Sequence, residues 1–285
     1  MGILAGLEGF GLGNLENTDI FNNGDEKSDS KKAASKEPEI TEADLVFSKS
    51  YTCPVCDTEF RSKTVKIGKA KLIGTDLDLR PKYEIVDSLK YDVILCPKCG
   101  YAALSRYFQY IAAPQAKLIK ANISSKFHNN PPKGDIYTYD EAIERYKLAL
   151  ANAVVKRSRS SEKAYICLKL AWVVRGKAES LDSKAPDYEV QKKQCEEEED
   201  ELLKNALEGF LAARQTEAFP MCGMDEATVD YLISVISMRF NQLDVAAKLV
   251  SNIILSPSTN KRMKDKARDL KEMLVEQIKQ QNSKK

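Results

Sequence analysis

Two similar turns decide the fold of this chain: Cys53-Pro-Val-Cys56 and, further along, Cys96-Pro-Lys-Cys99-Gly100. Each Cys-x-x-Cys turn points two thiolates at one ion, and two such turns together close a tetrahedral site of four sulfurs. The interval between the turns is about twice that of common zinc ribbons, but the entropy of closing a loop grows only logarithmically with its length. The sequence therefore predicts a metal site whose ligands are Cys53, Cys56, Cys96 and Cys99.

The predicted metal is one structural zinc ion, because closed sites of four thiolates in soluble proteins mostly hold zinc. Iron is the alternative, since rubredoxin-like proteins hold iron with two turns of this kind. A thioredoxin-like redox role would need a βαβ context with the cysteine pair at the start of a helix, and two pairs that flank a β segment fit this poorly. The other cysteines are interpreted as buried or incidental thiols: Cys167, Cys195 and Cys222.

Composition and charge exclude several classes of protein. The 285 residues include 44 basic and 42 acidic side chains, and the net charge of +2 excludes a strongly basic nucleic-acid coat or an acidic tail protein. His128 is the only histidine, which excludes zinc sites with two or more histidines. An odd number of cysteines without an export signal indicates a reducing compartment, so we expect a cytoplasmic protein. No apolar run approaches the roughly 18 residues of a membrane helix, so we expect no membrane span.

Changes in composition along the chain predict three regions. Residues 1–44 are a flexible N-terminal tail and a disordered linker, because 22–44 contain almost nothing apolar and many charges. The apolar, glycine-rich segment 1–21 either docks weakly on its own domain or is a peptide that binds a partner. Residues 45–112 form a small zinc-ribbon-like β module, and residues 113–285 are helical.

The predicted fold class is α+β, mainly α: the β module is followed by tetratricopeptide-like antiparallel helix pairs. Strand-like stretches cover 64–73 and 91–95, and Gly68 marks a turn. Thr138 with Glu141 is a capping box that opens a helix. The other predicted helices are one that follows Ser160 or Ser161 and those at about 113–127, 188–214, 225–240, 243–255 and 260–279.

A degenerate repeat is visible in the helical region. The spacing of alanine, an aromatic residue four positions later and alanine at seven is typical of the second helix of a tetratricopeptide repeat. It is clear at Ala142 and at Ala206, and it is loose at Ala246. The intervals between these positions are irregular, so an unrelated bundle of helix pairs remains the alternative. Small alanines beside large aromatic residues suit close helix packing in both cases.

Basic residues are concentrated in the β module. They are candidate phosphate contacts of a nucleic-acid-binding surface. The alternative is a solvated ribbon edge on which lysines prevent edge-to-edge pairing. The candidate residues are Lys63, Lys66, Lys69, Lys71, Arg80 and Lys82.

Three other polar or aromatic groups have a structural and a functional interpretation. Asp76 and Asp78 are expected to form a turn network with Arg80 rather than a catalytic pair. The acidic run 196–201 is either a solvated helix segment or a docking patch for a basic partner. The aromatic residues after the second cysteine turn are either core or a stacking platform: Tyr101, Tyr107, Phe108 and Tyr110.

The segment 51–108, which runs from YTCPVC to SRYF, resembles an uncharacterised bacterial family catalogued as domain of unknown function 2225. The resemblance extends to GLEGFGLGNLE near the start and to PQAKLIKANI after the second cysteine turn. It is most specific at the four cysteines of the predicted site and at Gly74–Pro81. The resemblance implies a bacterial cytoplasmic protein, and it implies no activity.

The leading functional hypothesis is a non-enzymatic, zinc-containing scaffold or adaptor that binds a protein partner through its helical repeats. The alternative is a nucleic-acid-binding protein that uses the basic β module. An enzyme is not expected, because the sequence contains no nucleotide loop or nucleophile motif, and the predicted metal site has no open position.

Overall fold

The structure, a computed structural model, describes residues 40–283. The interpretations of segment 1–21, and of the linker as far as residue 39, concern residues outside this range. The end of the predicted linker is helical: α1 (Glu42–Leu45) follows directly after Thr41. Lys90 and Tyr91 of the β module both bind the Glu42 carboxylate, at 2.8 and 2.6 Å, so α1 is attached to the β module.

Three separate antiparallel strand pairs make up the β module. In two of them the connection between the strands contains a cysteine turn, so that each turn is held at the end of a hairpin. The pairs are β1 (Val46–Thr52) with β2 (Glu59–Val65), β3 (Leu72–Thr75) with β4 (Pro81–Tyr83), and β5 (Val93–Leu95) with β6 (Ala102–Leu104).

The strand-like stretch predicted at 64–73 is divided between two hairpins. It contains the end of β2, a turn and the start of β3, and the turn includes Gly68 with φ of 72°. That conformation is easy for glycine and ends the strand. The stretch predicted at 91–95 is correct for β5, but a 3₁₀ turn (Ser88–Tyr91) precedes it because the Asp87 carboxylate accepts a hydrogen bond from the Leu89 N–H.

Seven further helices follow within the described residues, which confirms the α+β, mainly α, fold class. Consecutive helices joined by short loops pack on one another, as in antiparallel helix pairs. The capping box of Thr138 and Glu141 is confirmed. The helices are α2 (Ala113–Ile119), α3 (Tyr139–Val155), α4 (Ser160–Glu179), α5 (Tyr188–Thr216), α6 (Glu226–Arg239), α7 (Leu243–Leu255) and α8 (Lys261–Asn282).

The helix predicted at 113–127 is shorter as an α-helix. After α2 the chain continues as a π turn (Lys120–Ser124). Asn122 and Ser125 donate side-chain hydrogen bonds to the carbonyls four residues earlier, at 2.9 and 2.8 Å. Such bonds compete with the regular helical ladder and favour an irregular end.

The β module and the helices share one hydrophobic core. Leu89, Val93 and Leu104 from the β module belong to the same buried cluster as the residues of α3 and α4. The alanine and aromatic positions of the degenerate repeat lie in the core, where Tyr146 and Phe210 are fully buried. Their small neighbours let the helix backbones approach closely. The tetratricopeptide-like assignment and the boundary at residue 112 stay predictions.

Candidate metal centre

The first cysteine turn begins where β1 ends. The Asp57 N–H donates to the Cys53 carbonyl at 2.9 Å, and the Cys53 N–H donates to the Thr58 carbonyl at 2.9 Å. Asp57 has a positive φ of 56°. Aspartate adopts this left-handed conformation more readily than most residues that carry a Cβ. The turn is thereby closed so that both of its thiols face the same side.

The second turn, after β5, repeats this geometry. The Gly100 N–H donates to the Cys96 carbonyl at 3.1 Å, and the Cys96 N–H donates to the Tyr101 carbonyl at 2.9 Å. Gly100 has φ of 72°. Asp57 therefore occupies the position in the first turn that Gly100 occupies in the second. Sequence reasoning missed this role of Asp57, although its place directly after the second cysteine was the available signal.

Gly100 is required for packing as well as for its backbone conformation. A Cβ at this position would lie 2.5 Å from Cγ of Phe127, which is far inside van der Waals contact. The Asn152 side chain of α3 donates to the Gly100 carbonyl at 3.0 Å. The second turn thus packs between the segment after α2 and helix α3.

The four predicted ligands meet at one point. Their sulfur atoms all lie within 4.8 Å of one another. The Sγ atoms of Cys53 and Cys99 are 3.5 Å apart, and those of Cys56 and Cys96 are 3.6 Å apart. Metal–sulfur bonds of about 2.3 Å in a tetrahedron place the sulfurs about 3.8 Å apart. The four cysteines could therefore hold one metal ion.

The ionisation of these thiols fits a cation site. Hydrogen bonds from Cys53 and Cys99 lower the pKa of the Cys96 thiol to about 2. The contact with Cys96 raises the pKa of Cys53 to about 12, and contacts with Cys53 and Cys96 raise the pKa of Cys99. Four negative sulfurs at this separation repel one another, so a cation is what allows all four to ionise.

Aromatic side chains surround the cysteine cluster. Phe108 lies in the middle of them, with ring centroids 5.1 Å from Tyr101, 5.9 Å from Phe60 and 6.2 Å from Tyr51. Tyr101 and Phe108 are fully buried, so both are core residues. Tyr110, by contrast, is 79% exposed.

Two of the candidate phosphate contacts are held in ion pairs. Arg80 is 4% exposed, and its guanidinium binds both oxygens of Glu179, at 2.9 and 2.7 Å. Lys82 pairs with Asp76 at 2.8 Å. These two basic groups therefore neutralise carboxylates of the protein itself.

Three of the remaining four candidates also have partners within the protein. Lys63 donates to the Gly134 carbonyl, Lys66 donates to the Asp44 carbonyl at 2.7 Å, and Lys71 pairs with Glu84 at 3.0 Å. Lys69 is exposed and has no ion pair within residues 40–283. Five of the six candidates therefore have partners within the protein, and a phosphate-binding role for the six residues stays a prediction.

A second polar cluster, which we call the carboxylate–guanidinium cluster, joins the β3–β4 turn to helices α4, α5 and α6. Arg175 donates to Asp76 at 3.0 Å, to Asp78 at 2.6 Å and to Glu199 at 2.8 Å. Burial by itself would lower the pKa of Arg175. The pKa is nevertheless raised, because Asp78 and Glu199 bind the charged guanidinium. The cluster consists of Asp76, Asp78, Arg80, Trp172, Arg175, Glu179, Glu199 and Arg239.

Sequence reasoning found only the β3–β4 side of this cluster. It expected a turn network of Asp76, Asp78 and Arg80, and Arg80 does contact Asp76 at 3.5 Å, but the main partners lie about a hundred residues away. The available signal was Arg175 itself, since an arginine that follows a run of apolar residues in a buried helix needs a partner. Within the acidic run 196–201, Glu199 is buried in the cluster, where Arg239 also binds it at 2.6 Å.

The fold and this site define a mainly helical α+β protein with a four-cysteine cluster that could hold a metal ion. A family model, described as "Uncharacterized protein conserved in bacteria (DUF2225)", matches residues 46–274, and the chain belongs to this family. The match begins at β1 and ends within α8, so it includes both cysteine turns and the carboxylate–guanidinium cluster. No curated protein and no solved structure matches the chain.

None of the helices within residues 40–283 is both long enough and apolar enough to cross a bilayer.

Proposed function

We propose that the protein is a non-enzymatic adaptor that holds one structural zinc ion and binds a segment of a partner protein in a groove of its helical region. The observation that carries the adaptor proposal is the groove, which has an apolar floor and an exposed apolar wall. The zinc and the groove have separate tests, so either part stands without the other.

The arrangement of the thiols supports a structural role for the metal. Four protein ligands fill a tetrahedral ion, which leaves no position for a substrate or a reactive water. Three of the four thiols are buried, and aromatic rings surround them. We expect elemental analysis of the purified chain to give about one zinc per molecule. If the purified chain instead contains about one iron per molecule and has the red colour of a four-thiolate ferric site, the metal is iron rather than zinc, and the four ligands stay the same.

The groove lies over α4 and between α3 and α5, with a volume of about 590 Å³. Ala164 and Cys167 form its floor. A Cβ on Gly209 of α5 would lie 2.8 Å from Cβ of Ala164, so α5 approaches α4 closely there. Val154 of α3 is 59% exposed on the wall, beside Leu150. A groove of this form suits an amphipathic helix or an extended segment of a partner.

The charges at the rim differ between the two sides. Lys147 and Lys163 lie on α3 and α4, whereas Glu201 and Glu208 lie on α5. Lys147 and Glu198 form a salt bridge of 2.6 Å across the groove. The complementary occupant is an apolar segment with basic residues along its α5 side and acidic residues along the other. That pattern fixes the direction in which the segment lies.

The remaining reactive groups support a non-enzymatic role. Burial raises the pKa of the Cys167 thiol to about 11, and burial also raises the pKa values of Cys195 and Cys222, so these thiols are poor nucleophiles. His128 is exposed, and its ring contacts the Lys126 carbonyl rather than a carboxylate. None of the seven cysteines, all of which lie within the described residues, forms a disulfide, which supports the proposed cytoplasmic location.

The test compares two exposed apolar residues. The tagged protein, Val154→Glu and Leu255→Glu are used to capture partners from a lysate of a bacterium that encodes the protein. Leu255 is 79% exposed on α7 and does not line the groove, so its variant is a matched control. We expect a partner that binds the native chain and L255E but binds V154E at least about tenfold more weakly when purified. The proposal that the groove binds a partner would be refuted if every captured partner bound all three proteins equally, or if no captured partner required Val154.

A further inference from the structure

One long stretch of the chain contains basic residues and no acidic ones. It extends from residue 93 to residue 134, between Asp92 and Asp135, in a protein that otherwise has nearly equal numbers of acidic and basic side chains. The stretch includes the second cysteine turn, α2 and the π turn. Its basic residues are Lys98, Arg106, Lys117, Lys120, Lys126 and Lys133.

The fold gathers four of these lysines around the second cysteine turn. Ile119 of α2 belongs to the same buried cluster as Cys96 and Cys99, so α2 packs on the four-cysteine cluster. Phe127 packs against Gly100, which brings the end of the π turn to the same place. The four residues are Lys98, Lys117, Lys120 and Lys126, and all are exposed.

These four lysines differ from Lys71, Arg80 and Lys82, each of which is held in an ion pair. None of the four has an ion pair in the part of the chain that the structure describes. The stretch supplies no carboxylate, and the nearest ones along the neighbouring hairpin are Asp57 and Glu59. Lysines whose charge no carboxylate neutralises remain available for an external anion.

An exposed aromatic side chain adjoins this row. Tyr110 lies just before α2 and is 79% exposed, although Tyr101 and Phe108 of the same segment are fully buried in the core. The twelve helical residues of α2 and the π turn lie between Tyr110 and Lys126, and at about 1.5 Å of rise per residue they extend about 18 Å. A positive track with an aromatic face at one end is the pattern of surfaces that bind single strands.

We propose that this surface, formed by Lys98, Tyr110, Lys117, Lys120 and Lys126 and here called the α2 surface, binds single-stranded nucleic acid. The lysines contact phosphates and release counterions, and Tyr110 stacks on a base. Neither interaction reads base edges, so the binding has little sequence preference. None of these five residues lines the groove between α3 and α5, and the proposal does not depend on the proposed adaptor function.

Fluorescence anisotropy of the full-length protein with labelled oligothymidylate and oligouridylate of about 20 nucleotides tests this proposal. We expect binding in the micromolar range for one or both strands at physiological salt. Between about 50 and 200 mM salt the log–log slope should reach about −3, because four phosphate contacts contribute about −0.7 each. The DNA and RNA arms show which sugar is accepted.

Two matched variants locate the binding site. The first replaces the four lysines of the α2 surface by glutamine. The control replaces four exposed lysines of α7 and α8 that have no ion pairs among the described residues: Lys248, Lys261, Lys271 and Lys279. Both variants have the same net charge, so only the position of the lost charges differs. We expect the first to lose at least about tenfold in affinity with a flatter salt slope, and the control to change it by less than about threefold.

A third variant, Tyr110→Ala, should weaken binding about tenfold and leave the salt slope unchanged, because it removes stacking without charge. Metal content and thermal unfolding are measured for each variant. If the variant that lacks four lysines loses its metal, the double variant Lys117→Gln, Lys120→Gln on α2 is used in its place. Three results would overturn the proposal: affinity weaker than about 100 µM for both strands, equal loss in the control, or binding to phosphatidylglycerol vesicles without binding to either oligonucleotide.

Discussion

The four-cysteine centre and the carboxylate–guanidinium cluster both fasten the β module, but they do so with different chemistry. The cysteine centre joins two hairpin turns of the module through like groups that repel one another unless a cation is present. The carboxylate–guanidinium cluster joins the β3–β4 turn to three helices through groups of opposite charge. It is held together by its own side chains.

This difference predicts how each cluster fails. If one of the four thiols is removed, the proposed zinc ion is expected to dissociate, and the binding free energy that all four ligands would contribute is lost. Removal of one guanidinium leaves the remaining charges in place and partly desolvated, so the loss is smaller and depends on burial. The first cluster is therefore all-or-none, and the second is graded.

Loss of one metal ligand should have the largest effect. In Cys96→Ser the metal is lost, and its contribution to folding is on the order of 10 kcal/mol. We expect residues 46–112 to become sensitive to protease. The helices that share the core with Leu89 and Val93 should also unfold at a lower temperature. Metal analysis and limited proteolysis measure both effects.

Cys222→Ser is the control for this substitution, because Cys222 is a free thiol outside the four-cysteine cluster. It should keep the metal and the protease resistance of the module. A Cys96→Ser protein that retained one metal ion per chain would contradict the assignment of Cys96 as a ligand.

Arg175→Met should have the next largest effect. The substitution keeps much of the side-chain volume, leaves buried Asp78 without the guanidinium that binds it, and leaves buried Glu199 with Arg239 as its remaining guanidinium partner. We expect the free energy of unfolding in urea to fall by about 3–5 kcal/mol while the metal content stays unchanged.

The matched substitution is Arg268→Met. Arg268 forms an exposed pair with Asp265 at 2.6 Å, and its loss should change the free energy of unfolding by less than about 1 kcal/mol. Equal destabilisation by both substitutions would mean that the carboxylate–guanidinium cluster contributes no more than a surface pair.

A comparison of alanine substitutions at Gly100 and Gly68 separates the effect of packing on stability from the effect of backbone strain. Both have φ of 72°, but a Cβ would collide with Phe127 at Gly100 and would meet nothing within 4 Å at Gly68. Gly68→Ala should lower the free energy of unfolding by about 1–2 kcal/mol, from strain alone. Gly100→Ala should lower it by about 1–3 kcal/mol more, because Phe127 must move. Equal effects in thermal unfolding would show that the Phe127 contact contributes nothing.

The smallest effect concerns pH. Burial by itself would raise the pKa of Asp76. The pKa is nevertheless lowered, because Lys82 and Arg175 donate hydrogen bonds to the Asp76 carboxylate. A pKa that is lower in the folded state stabilises the protein above the unfolded value of about 3.9, and this stabilisation is lost as the pH falls through the folded pKa. We expect the difference in unfolding free energy between the native chain and Asp76→Asn to shrink below about pH 4.

Asp135→Asn provides the same charge change at an exposed position. Both variants keep the four cysteines, so protonation of the thiolates affects them alike. A difference between native and Asp76→Asn proteins that stays constant from about pH 6 to pH 3 would exclude a lowered pKa for Asp76.

Local patterns were sufficient to predict several features of the molecule. The four cysteines were predicted because a Cys-x-x-Cys turn fixes the direction of two thiols within four residues, whatever the rest of the chain does. The capping box at Thr138 and the division into a β module and helices were predicted for the same reason, since capping and hydrophobic periodicity are properties of short segments.

Tertiary structure alone decided which charges are neutralised. The sequence left two interpretations open for the basic residues between Lys63 and Lys82, a phosphate-binding surface or a solvated ribbon edge, and it did not single out Arg175. In the folded chain Arg80 and Lys82 bind Glu179 and Asp76, while the lysines of α2 have no ion pair among the described residues. The strength of a Coulomb interaction depends on the distance between the charges and on their burial, not on their separation along the chain. Pairs such as Arg80 with Glu179, which are about a hundred residues apart, therefore could not be predicted from any short segment of the sequence.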